Sequence, residues 1–564
     1  MRPRSCAVRR DGSRRLRCNT VTTGGVILVE ALRRRGVDTV FGLPGVQLDG
    51  LFDALAQRRE ISVVHTRHEQ ATAYMADGYA RATGRVGVCA VVPGPGVLNA
   101  GAGMATAYAN HSQVLLVAGH LFGGDRARGT GALHEIPDQS AVIEGTIGAT
   151  NRIRSVDDIG PALQAAFERL DGRPPRPAAI EIGPDVLLAG TDMAVPEPTP
   201  LPKRPGVDST AVERAAVALA GSQRPMIVAG GGARQAGAGL RALSVALAAP
   251  VVLTAEGKGA VAADLPGTVP HAAAFPLLEE ADAVVVVGSR FDPGSGPVRR
   301  DPLPAIVRID LDEAQLERHA QTGGEAIAIL AGADEGSAAL ARAIAGLRPA
   351  DTERDALHRA RVDEIRTALL RGLAEHFPDT WSYCRALRAA IPPDGILVDE
   401  MTQVGYMARN AYPAAEGRTY IGSGYQGTLG FGYATALGAK VGRPDSVVVS
   451  ISGDGGFLYT AAELATAVHH RIAVVAVVFV DDAYGNVKGI QQRVYGREIA
   501  STLTNPDLVR LAESFGVRGA RVEGPEDLRA AVATAVERDE PAVIAVPIGP
   551  QPDIMSVLTG RFRL

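Results

Sequence analysis

Along this chain, short runs of β-branched residues alternate with alanine-rich stretches of helical periodicity, and the rhythm restarts twice. A short apolar run closed by a glycine turn reads as a buried strand. Strands that alternate with helices read as βαβ units on a parallel sheet. The first block, 21–189, has such runs at Thr39–Phe41, Ser62–Val64 and Val86–Val92, with a helix expected over Gln70–Ala82. The second block, 207–347, has them at Met226–Ala229, Val251–Leu253 and Ala283–Val287. The third, 375–564, has them at Gly395–Val398, Val447–Ile451, Ile472–Val480 and Ala542–Pro547. A proline-rich stretch within 190–206 cannot enter a sheet interior and reads as a linker. A charged helical stretch, 348–374, reads as a connector. The pattern predicts an α/β protein with three doubly wound parallel-sheet domains.

Composition narrows the class. The 564 residues suggest about three domains. Aromatics are only 4% and glycines number 65, a surplus that points to tight turns and close backbone approaches. The net charge of −4 gives no whole-protein field for nucleic acid. The longest apolar run, Ile472–Val480, is too short to span a bilayer. Cys6, Cys18, Cys89 and Cys384 are scattered without a CxxC pair, which fits a reducing, cytoplasmic compartment. Residues 1–20 carry seven arginines but no apolar stretch of signal-peptide length, so a disordered basic tail is expected there.

The chemistry concentrates between Ser446 and Asn486. A strand runs into Gly453-Asp454-Gly455-Gly456, and an amphipathic helix follows through Leu458, Ala462, Leu464, Ala465 and Val468. A second strand then ends in Asp481-Asp482-Ala483-Tyr484-Gly485-Asn486. Asp454 and Asp481 are 481 − 454 = 27 residues apart, one βαβ crossover, so both carboxylates reach one sheet edge. Ligands of open α/β sheets bind in that crevice. Two hard oxygen ligands beside a helix start that favours phosphate suggest Mg²⁺ bridging a diphosphate.

This arrangement resembles the motif of thiamine diphosphate enzymes, nearest in pattern to the acetolactate synthase and pyruvate oxidase group, over Gly25 to Pro547. The resemblance implies Asp454, Asp481 and the Ala483 carbonyl as Mg²⁺ ligands. Gly453, Gly455, Gly456, Tyr484, Gly485 and Asn486 complete the diphosphate turn. Many relatives have Asn where this chain has Asp481, which adds negative charge here. Glu69 matches the glutamate that bonds the cofactor's aminopyrimidine N1′ and promotes loss of the thiazolium C2 proton, a role that suits a buried apolar site. Pro44, Gly45 and Gly94 match the turns around it. Gly427 and Leu429 match the segment that props the cofactor in its bent shape. Thr402 and Gln403 stand where relatives contact the diphosphate.

The substrate side carries less signal. His111, His120 and His134 border the cofactor in relatives, and a histidine there can orient a carboxylate or relay a proton. A solvated or core histidine is the alternative for each. His469-His470 closes a helix, where histidine meets the dipole favourably. The middle block has Gly230-Gly231-Gly232, Gly257-Lys258-Gly259 and Ser289–Asp292 but no GxGxxG fingerprint, and FAD is not expected. The resemblance implies a 2-oxo acid substrate, decarboxylated and then ligated to a second carbonyl. Simple decarboxylation and a non-catalytic subunit are the alternatives. It also implies a homodimer or homotetramer, with Glu69 facing the diphosphate domain of a second subunit.

Overall fold

The computed structural model describes residues 22–123, 129–201, 206–263, 265–291, 304–320, 326–348 and 351–554. The basic tail, Pro202–Pro205 of the linker and Asp292 lie outside the described residues. The described strands form three six-stranded sheets, and every pairing is parallel.

The first sheet holds β1 (Thr39–Gly42), β2 (Ser62–His65), β3 (Gly87–Val91), β4 (Val114–Gly119), β5 (Asn151–Ile153) and β6 (Ala178–Ile182), in the order β2-β1-β3-β4-β6-β5. The second holds β7 (Pro225–Ala229), β8 (Val251–Leu253), β9 (Thr268–Pro270), β10 (Ala283–Val287), β11 (Ala305–Asp310) and β12 (Ala326–Leu330), in the order β12-β11-β10-β7-β8-β9. The third holds β13 (Ile396–Asp399), β14 (Tyr420–Gly422), β15 (Val448–Gly453), β16 (Val474–Val480), β17 (Arg518–Arg521) and β18 (Ala542–Pro547), in the order β14-β13-β15-β16-β18-β17.

Helices cover both faces of each sheet, so central strands such as β3, β4, β6 and β10 are buried along their whole length. This is why β3 and β10 stand out in the sequence as unbroken apolar runs. The edge strand β17 reads Arg-Gly-Ala-Arg and escapes the hydrophobic pattern, because an edge is protected by charge rather than by burial.

Near the middle of each sheet the strand order reverses: between β1 and β3, between β7 and β10, and between β13 and β15. At such a switch point neighbouring connections leave in opposite directions and open a crevice at the strand ends. The turns after β1 and β3 are Pro44-Gly45 and Gly94. The turns after β13 and β15 are Glu400–Gln403 and Gly453–Gly456. The topology therefore puts every proposed cofactor turn of the first and third blocks, apart from the Gly427–Leu429 loop and the Asp481–Asn486 segment after β16, at a switch point.

The first and third sheets are joined through a shared core. The Glu69–Thr83 helix lies against the Phe431–Gly442 helix, with Tyr74 edge-on to Phe431. The two backbones almost touch: a Cβ on Gly78 would sit 2.0 Å from the Thr435 carbonyl oxygen, and one on Gly438 would sit 1.9 Å from that of Met75. Part of the glycine surplus is therefore used for helix contact rather than for cofactor turns. The charged connector is a helix at Thr352–His376, and 194–201 of the linker region carries neither helix nor strand. The helix expected through Leu458–Val468 is corrected to two, Asp454–Thr460 and Leu464–His470, broken by a 3₁₀ turn at Ala461–Glu463.

Candidate functional site

The half-site at the β1/β3 crevice is built from three segments, two of which need glycine. Gly94 has φ +60°, and a Cβ there would lie 2.3 Å from the His134 carbonyl oxygen. A Cβ on Gly45 would lie 2.4 Å from Val92 Cγ1. Gln47, just past Pro44-Gly45, donates from Nε2 to the Leu133 carbonyl at 3.3 Å, and its Oε1 meets His134 Nδ1 at 3.1 Å. The segments 44–47, 93–94 and 133–134 thus close on one another.

Glu69 opens the Glu69–Thr83 helix and accepts a hydrogen bond at Oε2 from Asn99 Nδ2, 3.0 Å away. Asn99 stands one turn into the Pro95–Ala109 helix that Gly94 caps. The Asn99 bond therefore ties Glu69 to the Gly94 turn, a link the sequence did not disclose. The buried setting anticipated for Glu69 is not supplied by a single chain, in which it is half-buried. Its approach loop is held by Glu463, whose carboxylate accepts from the N–H groups of Arg67 and His68 at 3.1 Å and from Thr466 Oγ1 at 2.6 Å. Burial raises the pKa of Glu463. Nothing in the local pattern marked Glu463, because its role depends on a fold-back of 396 residues.

His120 and His134 line one cavity of about 170 Å³ with Pro93, Asp138, Gln139 and Arg152. His120 Nδ1 accepts from the Leu121 N–H, and its Nε2 meets the Arg152 guanidinium. The structure does not bring His111 to this place. It follows the Pro95–Ala109 helix at the end opposite Gly94, about 20 Å of helix away. There burial, with Arg176 and Arg290 nearby, pushes its pKa down to about 3. It is half-buried and stands apart from the cavity that His120 and His134 line.

The half-site at the β13/β15 crevice carries the carboxylates. The β15–β16 register pairs Gly453 with Phe479, so Asp454 and Asp481 leave neighbouring strands within one residue of the same level. Asp454 is 1% exposed. Its Oδ1 accepts from the Gly455 N–H at 2.8 Å, and its Oδ2 accepts from the Asp482 N–H at 2.8 Å and from Asn505 Nδ2 at 2.7 Å. Asn505 also donates to Asp482 Oδ1 at 2.8 Å. The sequence offered no signal for Asn505, which lies 51 residues beyond Asp454.

Burial raises the pKa of both carboxyls, and Asp454 further pushes Asp481 up to about 6. A buried acid beside a half-buried one whose ionisation it opposes, with no cation among their described hydrogen-bond partners, is the donor set a divalent cation relieves. A Cβ on Gly453 would meet open space, whereas one on Gly455 would strike the Tyr484 ring at 2.7 Å. The crevice therefore opens at Gly453 and is walled by Tyr484. A side chain at Gly485 would start 2.2 Å from Asp481 Oδ2, so that glycine makes room for the carboxylate. Asn486 lies in the first turn of the Gly485–Tyr495 helix, and buried Ala483 bridges to Thr502. The Gly455 N–H is engaged by Asp454 itself. These residues fit a metal-bridged diphosphate.

Beside them, Gln403 accepts at Oε1 from the Ile554 N–H, and Thr402 caps the Gln403–Ala411 helix. Asp399 is committed to Arg409. Glu400, buried at 1% exposure, accepts from the Gly430 and Gly432 N–H groups at 2.8 and 2.7 Å, just past the Gly427–Leu429 loop. Gly427 has φ +57° and rests on Met401; Leu429 is half-buried. Burial pushes Glu400 up to about 7. The native state then binds more protons than the unfolded chain, whose Glu titrates near 4.3, so stability falls as pH rises from about 4.3 to about 7, by at most ~1.4 kcal/mol per unit. Melting curves from pH 4.5 to 8 should show this slope, and Glu400→Gln should flatten it.

At the β7/β10 switch point the middle sheet is closed by its own backbone. A Cβ on Gly230 would lie 2.5 Å from the Gly288 carbonyl oxygen, and one on Gly257 would lie 2.2 Å from that of Ala229. Close packing accounts for these glycines.

The fold and the two crevices define a three-domain α/β protein with one candidate half-site on its first sheet and one on its third. Comparison with known proteins agrees. Residues 22–142 match the N-terminal TPP binding domain of thiamine pyrophosphate enzymes, 212–340 the central domain and 400–546 the C-terminal TPP binding domain. The chain is 33% identical over 530 residues to a probable 2-ketoarginine decarboxylase of Pseudomonas aeruginosa, covering 90% of each protein. It is 31% identical over 557 residues to a probable acetolactate synthase large subunit of Methanocaldococcus jannaschii, covering 93% of this chain and 92% of that one. Against the large subunit of acetolactate synthase isozyme 2 of Escherichia coli it is 30% identical, covering 93% and 95%. The chain belongs to the thiamine pyrophosphate enzyme family, in the acetolactate synthase-like group.

Proposed function

We propose that this chain is a thiamine diphosphate- and Mg²⁺-dependent enzyme that decarboxylates a 2-oxo acid and ligates the remaining fragment to a second carbonyl. The observation that carries the reading is the Asp454–Asp481 pair at the ends of β15 and β16, at neighbouring levels of the sheet and with both carboxyl pKa values raised. When bound, thiamine diphosphate supplies a nucleophilic carbon that adds to the oxo group and takes up the electron pair released with CO₂. Asp454, Asp481 and the Ala483 carbonyl would hold Mg²⁺. Glu69 would hold a proton against the aminopyrimidine ring, positioned by Asn99 and by the Glu463-anchored loop. His120 and His134 line a polar cavity beside that turn, suited to a carboxylate or to a polar end of the substrate.

Simple decarboxylation is the second reading, favoured by the identity with the 2-ketoarginine decarboxylase. The assay that separates them feeds pyruvate and 2-ketoarginine in parallel and measures CO₂, acetolactate and free aldehyde. Acetolactate from pyruvate supports ligation. Aldehyde in step with CO₂ replaces it with decarboxylation. No CO₂ from any 2-oxo acid tested, with cofactor bound, refutes both.

Two exposed apolar groups support a homodimer with shared sites. Val46, Leu98, Phe122 and Leu133 surround the Glu69 half-site, and Val487, Ile490, Val494 and Tyr495 line the helix after Asp481. Faces of this kind are usually covered by a partner. The described cysteines, Cys89 and Cys384, are buried free thiols, in keeping with a reducing cytoplasm, and no described helix is long and apolar enough to cross a membrane. The reading includes no flavin, and flavin absorbance in the purified protein would overturn that part. Asn505→Ala should weaken Mg²⁺ binding about 10- to 100-fold, as loss of a residue that orients a ligand does. Mg²⁺ titration of the cofactor complex checks it.

A further inference from the structure

We propose that His65, His469 and His470 form a transition-metal site, of the Zn²⁺ class, that clamps the first sheet to the third. His65 is the last residue of β2, and His469 and His470 end the Leu464–His470 helix. The three rings form a near-equilateral triangle, with centroids 4.6, 4.7 and 4.7 Å apart. One nitrogen from each ring lies within 4.8 Å of the other two, and His65 Nδ1 is 3.1 Å from His470 Nε2.

A tetrahedral Zn²⁺ with Zn–N bonds of 2.0–2.1 Å separates its nitrogens by about 3.3 Å. The His65–His470 pair already meets that spacing. His469 is exposed, so its ring has room to turn toward the other two, and all three nitrogens already lie within 4.8 Å. Imidazole suits Zn²⁺, Ni²⁺ and Cu²⁺ far better than Mg²⁺, so the site does not compete for the metal of the diphosphate crevice.

The surroundings favour neutral imidazoles with lone pairs to give. Burial lowers the pKa of His65, with His469 and Arg67 beside it, and burial with His65 and His469 pushes His470 down to about 4. The helix ends here with Arg471 at φ +55°, and the negative end of its dipole favours a cation. Two features oppose binding. Arg67 brings positive charge, and the His65 N–H donates to His470 Nε2 at 3.2 Å, so a metal has to take that lone pair. Three protein ligands leave the fourth position to water. The clamp would act four residues before Glu69 and fix the strand end from which its loop departs. It rests on geometry outside the proposed catalytic site, so its failure would leave that reading untouched.

The test uses tag-free full-length protein, stripped with chelator and then saturated with Mg²⁺, and titrates it with Zn²⁺ and with Co²⁺. One Zn²⁺ per chain, a tetrahedral Co²⁺ absorption spectrum and a higher melting temperature with Zn²⁺ are expected. The variant His469→Gln, at the exposed corner, should keep its fold by circular dichroism, bind Zn²⁺ at least tenfold more weakly and lose the Co²⁺ spectrum. The double variant His469→Ala/His470→Ala should lose both. No Zn²⁺ bound by the wild type, or equal Zn²⁺ affinity in wild type and both variants, would overturn the proposal.

Discussion

Glu69→Gln should lower kcat by two to three orders of magnitude while thiamine diphosphate still binds. The magnitude follows from the usual worth of a positioned acid–base group, about 10²- to 10⁴-fold. The fold should survive, because glutamine still offers an oxygen to Asn99 Nδ2 and loses only a helix-start charge worth about 0.3–1 kcal/mol. Cofactor binding should survive because the proposed metal and phosphate contacts lie on the third sheet, away from Glu69. Turnover in single-turnover and steady-state assays, with cofactor occupancy measured in parallel, checks this. Near-full activity with cofactor bound would remove Glu69 from the proposed catalytic centre.

Asp454→Asn should be the more damaging change for binding. Asp454 accepts three hydrogen bonds with its two oxygens, from Gly455, Asp482 and Asn505. An amide at that place turns one oxygen into a donor that faces another donor, a loss of about 1–3 kcal/mol. It also removes the charge that would hold Mg²⁺. Thiamine diphosphate affinity should fall at least 100-fold and activity with it. Asp481→Asn should be mild by contrast. An amide carbonyl can still reach a metal, and the change removes the repulsion that pushes Asp481 up to about 6. Calorimetric titration of cofactor into the two variants separates these outcomes. Equal losses would show that Asp481 is no less essential than Asp454.

The contrast between what the chain displayed and what folding added has a physical basis. The three sheets were legible because strands buried on both faces, such as β10 with Ala283–Val287, write themselves as apolar runs. The Asp454–Asp481 pair was legible because one βαβ crossover fixes both its spacing and its side of the sheet. Asn99, Glu463 and Asn505 were not legible, because their work is done across tertiary contacts that leave no periodicity. Glu400 was visible only as part of a strand end, and its grip on Gly430 and Gly432 depends on a loop 30 residues away. The histidines mark the same limit. His111 and His134 looked alike as residues in loops, yet a helix of 15 residues holds His111 away from the Gly94 turn. His65 joined His469 and His470 only when β2 met the end of a helix from the third block.

The proposed activity requires thiamine diphosphate to be held through a divalent metal by Asp454 and Asp481. Isothermal titration of thiamine diphosphate into metal-stripped protein, with and without Mg²⁺, tests this most directly. One cofactor bound per chain with Mg²⁺, and none at the same concentrations without it, is the predicted result. No binding with Mg²⁺ present, or equal binding in its absence, would contradict it.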